Sequence, residues 1–467
     1  MRLWTSKDAT AATGGISASD WSVSGVSIDL SSIKEGDLFV ALSGAGDGHD
    51  LVAQAFENGA SAALVSRVPV GVPSEQLLIV DDVLSGLQAL GSTARKRFKG
   101  KVVCVTGSVG KTSTRDMLRH ALSPQGKVHS FEQGDNSQWD VQLALANMPP
   151  DADYSVIEIG LGALGQLGAL AKMVAPDVAL ITTLSPSHLD VFGSVSEVAR
   201  EMGTIFEGLV NDGVAILNAD LVPSELLRDK ADRNKQTFGK TTGTDWQLTD
   251  VVSAQDCVAC QARNHEQAIL FKVGSPGKFN AMNGLGVLAA ANALGADLAL
   301  AAIALGDWHP PKEVGHRYFV RLDQTRPEVG IDLFDDTYHA DPLSVDAALD
   351  MIASVNPPGP KGKQIAFLGD MNRLGASAID LHSALAALPA MDAIDQLHCV
   401  GPMMQHLFEA VPVDKRGLWA ATSAELARQV IDLVHAGDVV IVKGSFSMNM
   451  AQIVDAVRKL GHSVKED

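Results

Sequence analysis

Lys111 and Thr112 stand near the end of the run Thr106-Gly107-Ser108-Val109-Gly110-Lys111-Thr112-Ser113, an order of residue types suited to holding phosphate. Glycines at 107 and 110 let backbone N–H groups approach an anion closely, and a helix starting nearby adds the positive end of its dipole. In such a turn the lysine amine reaches terminal phosphates and the threonine hydroxyl holds Mg²⁺. The general phosphate-loop pattern is incompletely met, because its early glycine falls on Val105. The flanks supply the context: Val102-Val103-Cys104-Val105 is a β-branched apolar run, and Arg115 to Leu122 has a helical period. Strand, glycine turn and helix in this register predict a nucleotide triphosphate site over Gly107 to Ser113.

Two further groups fall where such a site needs them. Ser155-Val156-Ile157-Glu158 reads as a strand ending in a carboxylate, and Val178 to Leu184 as a strand running into Ser185-Pro186-Ser187-His188. Ligands of open α/β sheets gather at the carboxyl ends of strands. There Thr112, Glu158 and His188 would suit a magnesium-nucleotide site. Taken singly, Glu158 reads equally as a paired acid and His188 as a satisfied loop histidine. Their common place at strand ends joins them to the glycine turn.

The elements that position these groups alternate strand and helix, so the fold class is α/β with parallel sheets. Residues 1–98 read as a small α/β domain, with short strands at Gly25 to Asp29, Gly36 to Leu42, Ala62 to Val65 and Leu77 to Val80. Residues 99–312 read as a central doubly wound domain carrying a strand-rich excursion from Thr237 to Gly277. The alanine-rich stretch Leu285 to Ala304 reads as a buried helix. Composition resets after His309-Pro310-Pro311, and residues 313–467 form a second doubly wound unit with acids at its strand ends. Its helix is expected over Pro342 to Ala353.

The net charge of −18 argues against a nucleic-acid surface, which needs clustered Lys and Arg. Four cysteines make no disulfide framework, and Cys257 and Cys260 form a lone C-x-x-C that reads as small buried residues. The segment Met1 to Asp8 lacks the apolar core of a signal peptide, and no uninterrupted apolar run reaches the ~20 residues that span a bilayer. A cytoplasmic protein without stable membrane insertion is expected.

Taken in order, the phosphate turn, Glu158, Leu184-Ser185-Pro186-x-His188, Asp335-Asp336-x-Tyr338, Gly369-Asp370-Met371 and Lys443-Gly444-Ser445 resemble the Mur ligases. Ile28-Asp29, Gly36 to Leu42 and Gly48-His49-Asp50 extend the resemblance to nearly the whole chain. It implies three domains: one for a UDP-sugar, a central ATPase and a C-terminal Rossmann-like ligase domain, in a monomer. The reaction implied is phosphorylation of a carboxylate by ATP, then attack of an amine on the acyl phosphate. Within the family the acid implied is a UDP-muramoyl-tripeptide and the amine the dipeptide D-alanyl-D-alanine. By the same resemblance Gly107 to Thr112 bind phosphates, Lys111, Glu158 and His188 are catalytic, and Thr112, Glu158 and His188 serve Mg²⁺. Asn280 and Asn283 match adenine-side asparagines, Arg317 and Asp336 would clamp phosphate and ribose, and Ser27, Asp29 and Lys443 would meet the acid and amine substrates.

Several positions depart from that pattern. Met202 occupies the place of a lysine that the family carbamylates to bridge magnesium, and its thioether is no ligand for that hard ion. Asn136-Ser137-Gln138, Ala163-Leu164-Gly165-Gln166, His339-Ala340-Asp341, Phe279 and Phe446 also replace the usual residues. The changes lie around the nucleotide and substrate sites, whereas the apolar strands read cleanly. Two alternatives therefore stay open: a ligase for a different acid and amine, and a nucleotide-binding protein without turnover.

Overall fold

A computed structural model describes residues 2–461, apart from 45, 132–138, 222–225, 228–230, 232–233, 327 and 360. The altered positions Asn136, Ser137 and Gln138 lie outside the described residues. Three larger sheets follow one another along the chain. The first orders Ile16–Ser17, Leu77–Ile79, Ala62–Val65, Asp37–Val40 and Gly25–Ser27, parallel except for its first strand.

The second sheet has nine strands. Lys101–Thr106 sits between Tyr154–Glu158 and Val178–Ile181, all parallel, and Val128–Ser130 closes one edge. Val214–Asn218 and Lys235–Gly239 continue the other side into an antiparallel ribbon of Trp246–Ser253, Val258–Asn264 and Gln267–Val273. That ribbon is the expected strand-rich excursion. In it Cys260 points inward, and burial pushes its thiol up to about 12. The third sheet orders His316–Arg321, Gly330–Asp336, Val439–Lys443, Gln364–Gly369, Gln396–Val400 and Arg416–Ala420, with only its first pair antiparallel.

Helix Pro342–Ala353 has the expected bounds, because Asp341 and Ser344 cap it reciprocally and proline opens it. The alanine-rich stretch differs from its reading as one helix. It forms Lys278–Ala293 and Leu298–Gly306, broken where Gly295 takes φ 82° and Asp297 accepts from the N–H groups of Ala299 and Leu300. A cap and a left-handed glycine outweigh apolar continuity there.

The first two sheets share one core. Helix Val83–Arg97 lies between them, and an apolar cluster runs unbroken from Trp4, Leu64 and Leu90 to Leu143, Met202 and Leu217. Gly91 lets this helix approach Asp140–Ala146 so closely that a Cβ would sit 3.1 Å from that of Leu145. Trp4 Nε1 donates to the Ala146 carbonyl at 2.8 Å, and Asn147 exchanges hydrogen bonds with the Val26 backbone. The third sheet has apolar clusters of its own on its two faces.

Candidate active site

The carboxyl ends of the second and third sheets face one another across a cavity of about 650 Å³. From the second sheet come the turn 108–113, Glu158 and His188; from the third come Asp336, Arg373 and Lys443. Parallel strands make this inevitable once the sheets meet end to end, since each strand delivers its following loop to the same edge.

The glycine turn is held from beneath. Ser108 N donates to the Thr183 carbonyl at 2.7 Å, and Thr182 Oγ1 donates to the Val109 carbonyl at 2.6 Å. Gly107, at φ 152°, lies so close to Thr182 that a side chain would overlap its hydroxyl. Gly110, at φ 80°, precedes helix Lys111–Leu122, and a Cβ there would come within 2.8 Å of Asn283 Oδ1. Both glycines are therefore demanded by conformation and by neighbours. Lys111 Nζ folds back to the Ser108 carbonyl at 3.1 Å. Burial lowers its pKa, against the opposing pull of Glu158 and Asp341.

Thr112 Oγ1 donates to Glu158 Oε1 at 3.1 Å, so the hydroxyl and carboxylate of adjacent strand ends meet. Arg115, one turn along the same helix, brings Nε to 4.0 Å from Glu158 Oε2. His188 takes a left-handed φ of 58° at the entry to a short helix, with Nδ1 3.3 Å from Ser187 Oγ. Burial, then the cations Arg373 and Lys111, push its imidazole down to about 3. It is uncharged at neutral pH.

A polar bridge ties the two sheets beside the cavity. Ser185 Oγ donates to Asp341 Oδ1 at 2.8 Å, and His339 Nε2 lies 3.0 Å from Asp341 Oδ2. Burial would raise the Asp341 carboxyl, but His339 and the donors from Ser344 and Ser185 hold it down at about 2. The backbone N–H of Leu189 donates to the Arg373 carbonyl at 2.9 Å.

The expected residues divide. Ser108, Val109, Gly110, Lys111, Thr112, Ser113, Glu158, His188, Asp336 and Lys443 line the cavity. Gly107 supports it from behind. Lys443 Nζ is spent on Asp336 Oδ2 at 2.8 Å and the His339 carbonyl at 2.6 Å. Arg317 lies elsewhere: it forms a two-pronged pair with Asp332, at 2.9 and 2.8 Å, and donates to the Gln255 carbonyl. Asn280 is buried with its amide on the Pro276 carbonyl at 2.8 Å and Ser275 Oγ at 3.2 Å, and Asn283 backs Gly110. Ser27 and Asp29 are joined in a local turn with Ser31 and Ser32, outside the cavity. Sequence reading missed Arg115 and Arg373, and marked Asp341 only as a departure from the family pattern. Only Asp341 carried a signal, as an acid directly before Pro342 at a helix start.

The chemistry of the donors fits one magnesium ion. Thr112 and Glu158 are adjacent hard oxygen ligands beside a phosphate turn, the arrangement in which Mg²⁺ keeps water and shares phosphate oxygens. Around position 202 the described residues offer no free ligand for a second ion. Met202 is wholly buried in the apolar cluster, and both oxygens of neighbouring Glu201 accept backbone N–H groups, from Gly165 at 2.9 Å and Leu167 at 3.1 Å. Among the described residues no group of three or more His, Cys, Asp or Glu is placed to hold a metal.

Residues 105–291 match the Mur ligase middle domain, and residues 321–446 the Mur ligase, glutamate ligase domain. The UDP-N-acetylmuramoyl-tripeptide--D-alanyl-D-alanine ligase of Bacillus subtilis is 30% identical over 437 residues, 92% of each chain. That of Escherichia coli is 29% identical over 96% of each. A crystal structure of MurF from Acinetobacter baumannii aligns with TM-score 0.82 and 26% identity over 98% of this chain and 99% of that one. MurF ligase from Thermotoga maritima, solved in complex with ADP, shares the fold at TM-score 0.77 and 23% identity, over 93% of this chain and 97% of that one. The phosphate turn, the facing strand ends and this likeness along nearly the whole length agree: the chain belongs to the Mur ligase family.

Proposed function

We propose that the protein is the ATP-dependent, ADP-forming ligase that adds D-alanyl-D-alanine to UDP-N-acetylmuramoyl-tripeptide in peptidoglycan precursor synthesis. The observation that carries this is the meeting of two sheets' carboxyl edges around Lys111, Thr112 and Glu158, in a chain that aligns with ligases of that name over almost its full length. Residues 1–98 would receive the UDP-sugar through Ser27 and Asp29, residues 99–312 hold the nucleotide, and residues 313–467 bring the amine. Phosphoryl transfer from ATP makes the acid's carboxylate a mixed anhydride. The amine then attacks its carbonyl carbon, and the tetrahedral intermediate collapses with loss of phosphate. Without that activation a carboxylate is a poor electrophile.

Each residue's part follows from its position. The backbone of Gly107 to Ser113 cradles the phosphates, and Lys111 swings from the Ser108 carbonyl to the transferring group, where its charge offsets the charge that develops. Thr112 and Glu158 would hold Mg²⁺, which when bound supplies charge neutralisation on the phosphate oxygens. His188, uncharged at the same edge, would orient a metal-bound water rather than add a cation. Asp336 and Lys443, locked together, form a floor from the third sheet against the nucleotide. Closure of the two sheets keeps water from the acyl phosphate, which it would hydrolyse. The family resemblance supports, as part of this reading, a reaction in the cytoplasm by a monomer. Among the described residues no helix is long and apolar enough to cross a membrane.

The test is direct. Purified protein with ATP, Mg²⁺, the UDP-linked tripeptide and D-alanyl-D-alanine should release phosphate and yield the pentapeptide only when both substrates are present. Phosphate release that ignores either substrate, or no release where a B. subtilis relative works, refutes the assignment.

A further inference from the structure

Helix Lys111–Leu122 carries two cations on one stripe. Lys111 opens it at the glycine turn, and Arg115 follows four residues on, about 6 Å along the axis on the same face. Both line the large cavity. Lys111 has the transferring phosphoryl group to meet, whereas Arg115 stands one turn beyond it with no part in the steps above.

The Arg115 guanidinium is anchored but not saturated. Nη1 donates to the carbonyl of Phe131, the residue after strand Val128–Ser130, at 3.1 Å. Nε is buried and has no hydrogen-bond partner among the described residues; Glu158 Oε2, at 4.0 Å, is beyond hydrogen-bond reach. Among the described residues only one of its five N–H donors is taken. The bond at Nη1 leaves the Nε–Nη2 edge, the side turned toward Glu158, open to the two-pronged grip that guanidinium gives a carboxylate. A cation 14% exposed with unfilled donors is costly unless an acceptor reaches it, and the cavity is where one can.

The direction from which that acceptor comes is set by the walls. Phe131, Val141 and Ala144 line the cavity with Arg115. Helix Asp140–Ala146, which bears the last two, is pressed against helix Val83–Arg97, and Asn147 just after it is bonded to the Val26 backbone of the first sheet. An acid tethered to a UDP-sugar on residues 1–98 therefore enters past Arg115 on its way to a phosphate held at Lys111. Carboxylate and phosphate are both anions and repel, so a fixed cation between the tether and the phosphate favours their meeting.

We propose that Arg115 contacts the acid itself, receiving the carboxylate that is to be activated and holding it one helical turn from Lys111. One carboxylate oxygen then faces the terminal phosphorus. As the oxygen–phosphorus bond forms, the bond from phosphorus to its bridging oxygen breaks, and that electron pair leaves with ADP. Arg115 stays protonated throughout and moves no proton. This rests on the ligase reading above and adds the residue that recognises the reacting end of the acid.

The experiment measures binding of the UDP-linked tripeptide, and of an analogue whose reacting carboxylate is a carboxamide, at saturating ADP and Mg²⁺. The proteins are the wild type, Arg115→Gln and Arg115→Lys. The wild type should prefer the carboxylate by about 10- to 100-fold, the range of a hydrogen bond to a charged group. Arg115→Gln should lose that preference by binding the acid more weakly, while its affinities for the carboxamide and for ADP stay within about twofold. Arg115→Lys keeps the charge and loses the fork, so it should retain part of the preference. In turnover the KM for the tripeptide should rise in Arg115→Gln by the same factor, with the KM for ATP unchanged. An Arg115→Gln protein that keeps the full preference, or that is folded and loses ADP affinity instead, overturns the proposal. A wild type that ligates the tripeptide yet binds acid and carboxamide equally overturns it without any variant and leaves the ligase reading standing. A wild type that releases no phosphate with the tripeptide and D-alanyl-D-alanine brings down the ligase assignment, and this inference with it.

Discussion

Replacing Asp341 by asparagine should weaken the protein by about 2 to 3 kcal/mol at neutral pH. The magnitude follows from the drop of its carboxyl from 3.8 to about 2, at about 1.4 kcal/mol per pH unit. Asparagine caps helices as well as aspartate, so helix Pro342–Ala353 keeps its start and the change isolates the charge and its bonds. Those bonds run to Ser185, on the second sheet, and to His339 on the third. A carboxyl held below its unfolded value stabilises the fold above that value, and the stabilisation is lost as pH falls through the folded one. The gap between wild type and Asp341→Asn should therefore be full above about pH 4 and close by about pH 2. Guanidinium unfolding followed by circular dichroism across that range measures it. A double-mutant cycle with Ser185→Ala should return a coupling of about 1 kcal/mol or more, since both groups are fully buried and 2.8 Å apart. Additivity within about 0.3 kcal/mol, or a gap that does not change with pH, would refute this account of the bridge.

Lys111→Ala should abolish substrate-dependent phosphate release while leaving the melting temperature nearly unchanged, because the amine is bonded to a loop carbonyl, its one hydrogen bond among the described residues. Glu158→Gln should raise the magnesium concentration needed for half-maximal rate by about 10- to 100-fold, read from a metal titration at saturating ATP. Arg317→Ala should lower the unfolding midpoint but leave the KM for ATP within about twofold, because its guanidinium is committed to Asp332 away from the cavity; a tenfold rise in KM would return it to the nucleotide. Met202→Lys should destabilise the protein by several kcal/mol, about the cost of burying an amine among apolar side chains, and manganese binding in the presence of ADP should stay at one ion per chain in the wild type.

The groups legible in the sequence were those fixed by local rules. A β-branched strand, two glycines and a helix start announce the phosphate turn, because each residue type answers a backbone or anion requirement within eight positions. Glu158 and His188 were legible because topology, more than contact, sends strand ends to ligands. Arg317 shows the limit: a guanidinium in the right stretch has an equally good partner in Asp332, 15 residues on, and only strand pairing decides between that and a phosphate. Asn280 is likewise tied locally, to the carbonyl of Pro276 four residues back, a contact its residue type does not announce. Arg115 and Arg373 gave no signal, since what distinguishes them is a buried distance and a backbone angle. The break at Gly295 was visible as glycine and missed because the apolar run continued past it.

Helix Val83–Arg97, with hydrophobic neighbours on both sides and Gly91 pressed to its partner, welds the first sheet to the second as one block. The opposite seam carries single polar contacts such as Ser185 to Asp341 and Leu189 to Arg373, beside the packing of Phe279 on the third sheet's apolar cluster. Opening the first would expose an oily interior, whereas opening the second breaks a few polar contacts and the packing of Phe279 on the third sheet's core. Opening during turnover is therefore expected at the second seam, with the first two sheets moving as one block.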